Sequence, residues 1–346
     1  MQRILLPIIF LSCVTLTGCE KLLLDDMAEK DPVVNFDYLW HRVDCQYSMF
    51  DVKGIDWQAV YDSLRPEVYS GMRQESLFDV MARMLNHLDD GHVNLTTPFD
   101  ISRSETVWQR RQWRKNIDER TVALYYLGSG YHTTAGLLHN VIADSAVIYV
   151  RYSSFEYNVS AHDLRYILTR YRKAQGMILD LRQNGGGRIA NIWELLDPMA
   201  SHGQLLYTTQ IKSGPGHDEF SAPTAVTAPI HSDENHYRKP VVVLTDRGTF
   251  SAASLMALCA KSYDQMILIG DTTGGGLGMP TEGEIPNGWL YRFSVTRTLA
   301  PDGVNYENGM PPDYTVMLRS DAIAAGHDNV IDSAVAVIQS QTSIED

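Results

Sequence analysis

The chain has 346 residues, 44% of them hydrophobic and 21% charged, with 25 Gly and 14 Pro. That is a globular composition, long enough for one large domain or two modest ones. Its formal net charge of -13 argues against a nucleic-acid binder, which needs a basic surface for phosphates, and says nothing about fold.

The N-terminus reads as a targeting segment. Met1-Gln2-Arg3 is a short positive start, an apolar run of about 13 residues spans Ile4 to Leu16, and Leu16-Thr17-Gly18-Cys19 closes it. The run is too short to cross a bilayer and suits a signal peptide. Leu-Thr-Gly-Cys resembles a bacterial lipobox, which implies a lipoprotein signal over 1–19, lipid on Cys19 and residence in the cell envelope. Residues 20–32 then form a polar tether. Of the four cysteines, Cys13 lies in the signal, and Cys45 and Cys259 read as buried apolar thiols. No CxxC or His-rich spacing points to zinc, so neither metal nor cofactor is expected.

Phe36, Leu39, Trp40 and Val43 recur at helical spacing. Asp56 is placed to N-cap a second helix carrying Val60, Tyr61 and Leu64. Leu77, Val80, Met81, Met84, Leu85 and Leu88 line one face of a third. Residues 33–100 therefore form a helical cap ending in Asp89-Asp90-Gly91-His92 and a short strand at 93–95. The segment 101–145 is an intermediate, strand-containing piece, with strands expected at 121–127 and 141–142. From 146 to 342 the pattern is regular. Apolar strands (147–150, 177–181, 241–244, 266–269) alternate with helices (about 161–174, 189–200, 251–262), which indicates parallel pairing in an α/β fold. Residues 203–239 interrupt that rhythm as a Gly/Pro/His-rich insertion, a candidate lid or rim loop. A hairpin at 287–298 and a closing helix at 322–339 complete the expectation.

Two segments could carry chemistry. Thr245-Asp246-Arg247-Gly248-Thr249-Phe250-Ser251-Ala252-Ala253 follows a buried strand and opens a helix. A serine there meets free N–H groups and the positive end of the helix dipole, although on this segment alone a plain N-cap is the better reading. Asp180-Leu181-Arg182-Gln183-Asn184-Gly185-Gly186-Gly187 also joins a strand to a helix. Its glycines suit close approach to a ligand or simply a tight turn. Neither a dinucleotide fingerprint nor a P-loop fits.

"GMILDLRQNGGG" (176–187), "VVVLTDRGTFSAA" (241–253), "GDTTGGGLG" (270–278) and "ENGMPPDYTV" (307–316) resemble, in order, four blocks of the tail-specific (C-terminal-processing, S41) serine peptidase family. "NFDYLWHRVDCQYSMFDVKGIDW" and "LNHLDDGHVNL" resemble the N-terminal region of its tricorn-core-like branch. The resemblance implies a ClpP/crotonase-like ββα superhelix core, peptide or unfolded-protein substrates, and Ser251 as nucleophile. It further implies His92 as base, Glu307 as the carboxylate that orients it, and the backbone N–H groups of Gly186 and Ala252 as the oxyanion hole. The lysine of the family's Ser/Lys branch is missing, since that turn reads Gly275-Gly276-Leu277. Lys261 lies ten residues along the helix, about 15 Å from the serine. The serine that precedes the histidine in tricorn-type sites is Gly91 here. About 50 residues separate Leu95 from Val147, too few for the PDZ domain that many members carry. Two other readings compete: a catalytically impaired peptide- or ligand-binding lipoprotein, and an acyl-CoA enzyme of crotonase type.

Overall fold

The computed structural model describes residues 30–113, 115–144, 146–200, 203–229 and 236–342. The expected signal peptide, Cys13 and Cys19 lie outside the described residues. None of the described helices is long and apolar enough to cross a membrane.

A seven-stranded sheet forms the core. Its spatial order is Tyr314–Thr315, Met266–Gly270, Val241–Thr245, Gly176–Asp180, Val147–Arg151, Leu137–Ile142 and His132–Thr134. The first five strands pair in parallel and the last two antiparallel. In Val147–Arg151, Gly176–Asp180 and Val241–Thr245 every residue is buried, because helices cover both faces. On one face lie Ala161–Arg170, Ala190–Leu196 and Ala252–Ala260; Asn329–Thr342 packs on the other. Ala252–Ala260 is buried along its whole length, as a helix apolar on all sides must be. Such continuous burial on both faces is the signature of parallel strands.

The helical cap is Pro32–Gln46, Trp57–Leu64 and Gln74–Asn86. Asp31 caps the first helix by accepting from the Val33 N–H, and Asp56 caps the second by accepting from the Ala59 N–H. Phe36, Leu39, Trp57, Leu77 and Met81 bury their side chains against Trp289, Tyr291 and Phe293. Those three aromatics belong to or adjoin the strand Leu290–Ser294, which pairs antiparallel with Asn94–Thr96 on one side and Pro280–Glu284 on the other. The cap is thus joined to the sheet half by a shared three-stranded sheet. That junction fixes the segment just before Asn94, where Asp90 and His92 lie.

Three expectations are corrected. Residues 121–127 are helical: Glu119–Thr121 runs into a π-helical stretch, Val122–Leu127. Val122 and Leu127 are buried while Leu124 and Tyr125 are exposed, an i, i+5 pattern that the wide turn accommodates and alternation does not. Residues 287–298 are not a hairpin. Leu290–Ser294 pairs with Pro280–Glu284, whereas Thr296–Leu299 turns away to pair with Leu205–Ile211. The closing helix is split, with Ser320–Ala324 ending at Gly326 (φ 80°) before Asn329–Thr342 begins. Of the two thiols, Cys259 is buried as expected, but Cys45 is only half-buried.

Candidate active site

The two strand-to-helix turns picked out in the sequence lie side by side and are laced together. Asp246 Oδ1 accepts from the Gln183 N–H at 2.8 Å and from the Gly248 N–H at 2.9 Å, while its Oδ2 accepts from Gln183 Nε2 at 2.8 Å. The Thr249 hydroxyl donates to the Leu181 carbonyl at 2.9 Å, and the Phe250 N–H donates to the Asn184 carbonyl at 2.9 Å. Beneath them Arg182, with no exposed surface, holds Asp180 through Nε and Nη2 and Asp328 through Nη1. The two carboxylates raise the Arg182 pKa against the opposing effect of burial. A buried ion cluster of this kind is costly to break, because either partner alone would be an uncompensated charge.

Ser251 sits at the end of this frame with φ 56° and ψ -124°, a left-handed backbone that a residue with a Cβ adopts only under strain. The turn is held by the Ser251 N–H, which donates to the Gly275 carbonyl at 2.9 Å, and by the Gly274 N–H, which donates to the Thr249 carbonyl at 2.7 Å. The Ser251 hydroxyl makes no cap bond to its own helix. Ser251 thus holds the N-cap position without capping through its side chain. Instead it lies 3.0 Å from His92 Nε2, at the N-terminus of the nine-residue helix Ala252–Ala260, where the dipole favours negative charge.

His92 is 5% exposed, and its ring tilts against Phe250 with centroids 4.8 Å apart. Its position is set by Asp90, a residue that sequence reasoning passed over. Asp90 Oδ1 accepts from the His92 backbone N–H at 2.7 Å, and Oδ2 accepts from the Tyr47 and Ser294 hydroxyls, each at 3.1 Å. Tyr47 comes from the cap and Ser294 from the strand beyond it. No local motif marks this anchor, since its partners are 43 and 204 residues away.

Glu307 lies in the same region but bonds elsewhere. Its Oε2 accepts from the Leu277 and Gly278 N–H groups at 2.7 and 3.0 Å. The carboxyl is buried. Burial first, and then the neighbouring Asp90 carboxylate, push its pKa up to about 8 despite the opposing effects of Lys53 and the two amides. Burial and Asp90 both favour the protonated carboxyl. Through these bonds Glu307 braces the 275–278 turn.

Gly186 meets the Ser251 turn directly. A Cβ on Gly186, whose φ is +95°, would lie 2.7 Å from both the Phe250 carbonyl oxygen and Ser251 Cβ. Its N–H donates to Asn184 Oδ1 at 2.9 Å. Among the described residues the Ala252 N–H has no acceptor. Lys261 pairs with Asp313 at the far end of the serine helix. The cleft over Ser251 encloses about 440 Å³; Arg292 and Glu156 are the charged side chains of its wall, beside His92 and the glycine turn.

Fold and site together describe a hydroxyl on a strained turn, an imidazole nitrogen within hydrogen-bond reach, and a helix N-terminus beside it. That arrangement is suited to nucleophilic catalysis. The profile of Peptidase family S41 matches residues 146–316, and that of the Tricorn protease C1 domain matches residues 28–86. A solved structure from Parabacteroides merdae ATCC 43184, described as a candidate peptidase, superimposes with a TM-score of 0.84 at 34% identity, over 89% of this chain and 97% of that one. The chain belongs to peptidase family S41. It is also 31% identical over 130 residues to the carboxy-terminal processing protease CtpA of Bacillus subtilis (38% of this chain, 26% of that protein). To the chloroplastic C-terminal processing peptidase of Tetradesmus obliquus it is 28% identical over 242 residues (69% of this chain, 48% of that protein). The chain thus spans between about a quarter and a half of these relatives' lengths.

Proposed function

We propose that the protein is a serine peptidase, an endopeptidase or carboxy-terminal processing enzyme, that hydrolyses peptide bonds through an acyl-enzyme on Ser251. The observation that carries this reading is the 3.0 Å approach of His92 Nε2 to the Ser251 hydroxyl. With the ring proton on Nδ1, Nε2 takes the hydroxyl proton as Oγ attacks the scissile carbonyl. The oxyanion forms at the N-terminus of Ala252–Ala260, where the Ala252 N–H and the glycine turn with Gly186 are its donors. His92 then returns the proton to the leaving amine. A water molecule, deprotonated by the same nitrogen, hydrolyses the ester. Glu307 supports the turn that carries the Ser251 backbone.

Substrates are peptides or unfolded proteins laid across the cleft. The lipobox-like Leu16-Thr17-Gly18-Cys19 supports an exported, Cys19-anchored lipoprotein facing substrates of the cell envelope. Labelling with a fatty-acid analogue, lost in Cys19→Ala, tests that part.

A second reading has its own observation. With the Gly186 N–H engaged by Asn184 and Glu307 Oε2 engaged by the Leu277 and Gly278 N–H groups, the same scaffold could bind peptides without cutting them. Incubating wild type, Ser251→Ala and His92→Ala with casein and a peptide library, with products read by mass spectrometry, separates the two. Cleavage by wild type alone supports the Ser/His peptidase. Peptide binding with no cleavage by any of the three would replace it with the binding protein.

A further inference from the structure

Away from the cleft, three ligand-bearing side chains converge near the end of the helix Pro32–Gln46. His41, Asp44 and Cys45 stand at i, i+3 and i+4, the spacing that puts residues on one helical face. One ligand atom from each lies within 4.8 Å of the others. Cys45 Sγ is 3.6 Å from His41 Nε2. Around a tetrahedral zinc ion, with bonds of about 2.0 Å to nitrogen and about 2.3 Å to sulfur, two such ligands stand about 3.5 Å apart. The free side chains are already close to that separation.

A further side chain, outside that group of three, reaches Asp44 from a distant segment and would have to turn to join the others. His217 Nε2 is 2.9 Å from Asp44 Oδ1, and its ring stacks on Phe50 with centroids 4.2 Å apart and planes 22° from parallel. Its loop is closed rather than loose. Lys212 and Phe220 bridge its ends, and the Ser213 N–H donates to the Glu219 carbonyl at 3.1 Å. The loop therefore presents His217 in a defined place.

Two imidazoles, a thiol and a carboxylate form a donor set for a borderline-soft divalent ion, and not for calcium or magnesium, which take oxygen. The bland alternative is a weak thiol–imidazole contact beside an ordinary surface ion pair. Local charge cuts both ways. Burial and Asp44 hold the Cys45 thiol above its usual pKa, whereas Arg42 and Lys212 lie near enough to oppose that effect and to repel a cation. Asp44 and a Cys45 thiolate bring two negative charges against them.

We propose that His41, Asp44 and Cys45 bind zinc, with His217 turning in from the neighbouring loop as the fourth ligand. Binding displaces the Cys45 proton to solvent. The ion then ties the 212–220 loop, at the rim of the catalytic half, to the helical cap. This inference does not depend on the peptidase reading.

The test uses the whole chain, reduced and freed of metal with a chelator, and titrated with cobalt(II). Expected are the intense visible bands of tetrahedral cobalt and a thiolate-to-cobalt charge-transfer band, both removed by stoichiometric zinc. Cys45→Ser should abolish the charge-transfer band although the other cysteines remain. His41→Gln and His217→Ala should each weaken affinity by about 10- to 100-fold or more, at least the cost of losing an outer-shell partner. All three positions are at least partly exposed, and circular dichroism checks that each variant is folded. No charge-transfer band in wild type, or one unchanged in Cys45→Ser, overturns the site. Full affinity in His217→Ala overturns the fourth ligand and with it the tie between loop and cap.

Discussion

The Gly186 N–H donates to Asn184 Oδ1 at 2.9 Å, so the donor that would meet a developing oxyanion is already occupied in the resting site. An oxyanion accepts more strongly than a neutral amide oxygen. A tetrahedral intermediate can therefore compete for this N–H, and a ground-state carbonyl does so less well. The glycine is also needed for space, because any Cβ there would press on the Ser251 turn. Gly186→Ala is expected to lower kcat/KM by about 100-fold or more, because the Cβ would displace the Ser251 turn relative to the N–H groups beside it. Steady-state kinetics on a peptide cleaved by wild type would decide it. Wild-type rates in this variant would remove the glycine turn from the oxyanion hole.

Ser251 stores strain for its position. At φ 56° and ψ -124° its backbone costs on the order of 1–3 kcal/mol, which glycine does not incur. Ser251→Gly should unfold at a higher denaturant midpoint than Ser251→Ala while both lack activity. If the two midpoints coincide, the turn is not strained.

Glu307 gives the protein a pH dependence whose sign follows from burial and Asp90. Its folded pKa is pushed up to about 8, whereas an unfolded glutamate titrates near 4.3. Between those values the folded state holds a proton that the unfolded chain has lost. Stability should therefore fall as pH rises from about 4.5 to 8 and level off above that. Urea midpoints at several pH values would show the slope, and Glu307→Gln should flatten it. Because burial and Asp90 favour the neutral carboxyl, the same variant should keep kcat within a few-fold at pH 7. A 100-fold loss would mean that the charge on Glu307 matters.

Much of the parallel sheet could be read directly, because strands buried on both faces, such as 241–245, leave uninterrupted apolar runs. Ser251 and His92 were visible only through their motifs, and their meeting depends on a junction 159 residues long in sequence. Asp90 escaped notice because its role is defined by Tyr47 and Ser294, distant in sequence and individually unremarkable. For Glu307 the sequence placed a carboxylate without saying which way it turns, and its Oε2 accepts from the Leu277 and Gly278 N–H groups. The stretch 122–127 looked like a strand because apolar residues at i and i+5 are too few to reveal a period. The His41–Cys45 spacing carried no metal signature on its own, and His217 lies 173 residues from Asp44.

Gly91 stands where the resemblance to tricorn-like sites implies a serine, and a serine introduced there should not improve peptide cleavage. A Cβ at Gly91 would lie 2.8 Å from Phe250 Cζ and 3.1 Å from Val107 Cγ1. Phe250 in turn packs against the His92 ring and precedes Ser251, so its displacement would disturb both reacting groups. Overpacking of this kind costs about 1–3 kcal/mol. Gly91→Ser alone is thus expected to lower kcat/KM by roughly tenfold or more, since small misplacements of catalytic groups are expensive. Trimming the obstructing ring in Gly91→Ser/Phe250→Leu should recover part of that loss relative to Phe250→Leu alone. A full double-mutant cycle in kcat/KM measures the coupling. Additive effects would show that Gly91 and Phe250 do not share the space that this packing assigns to them.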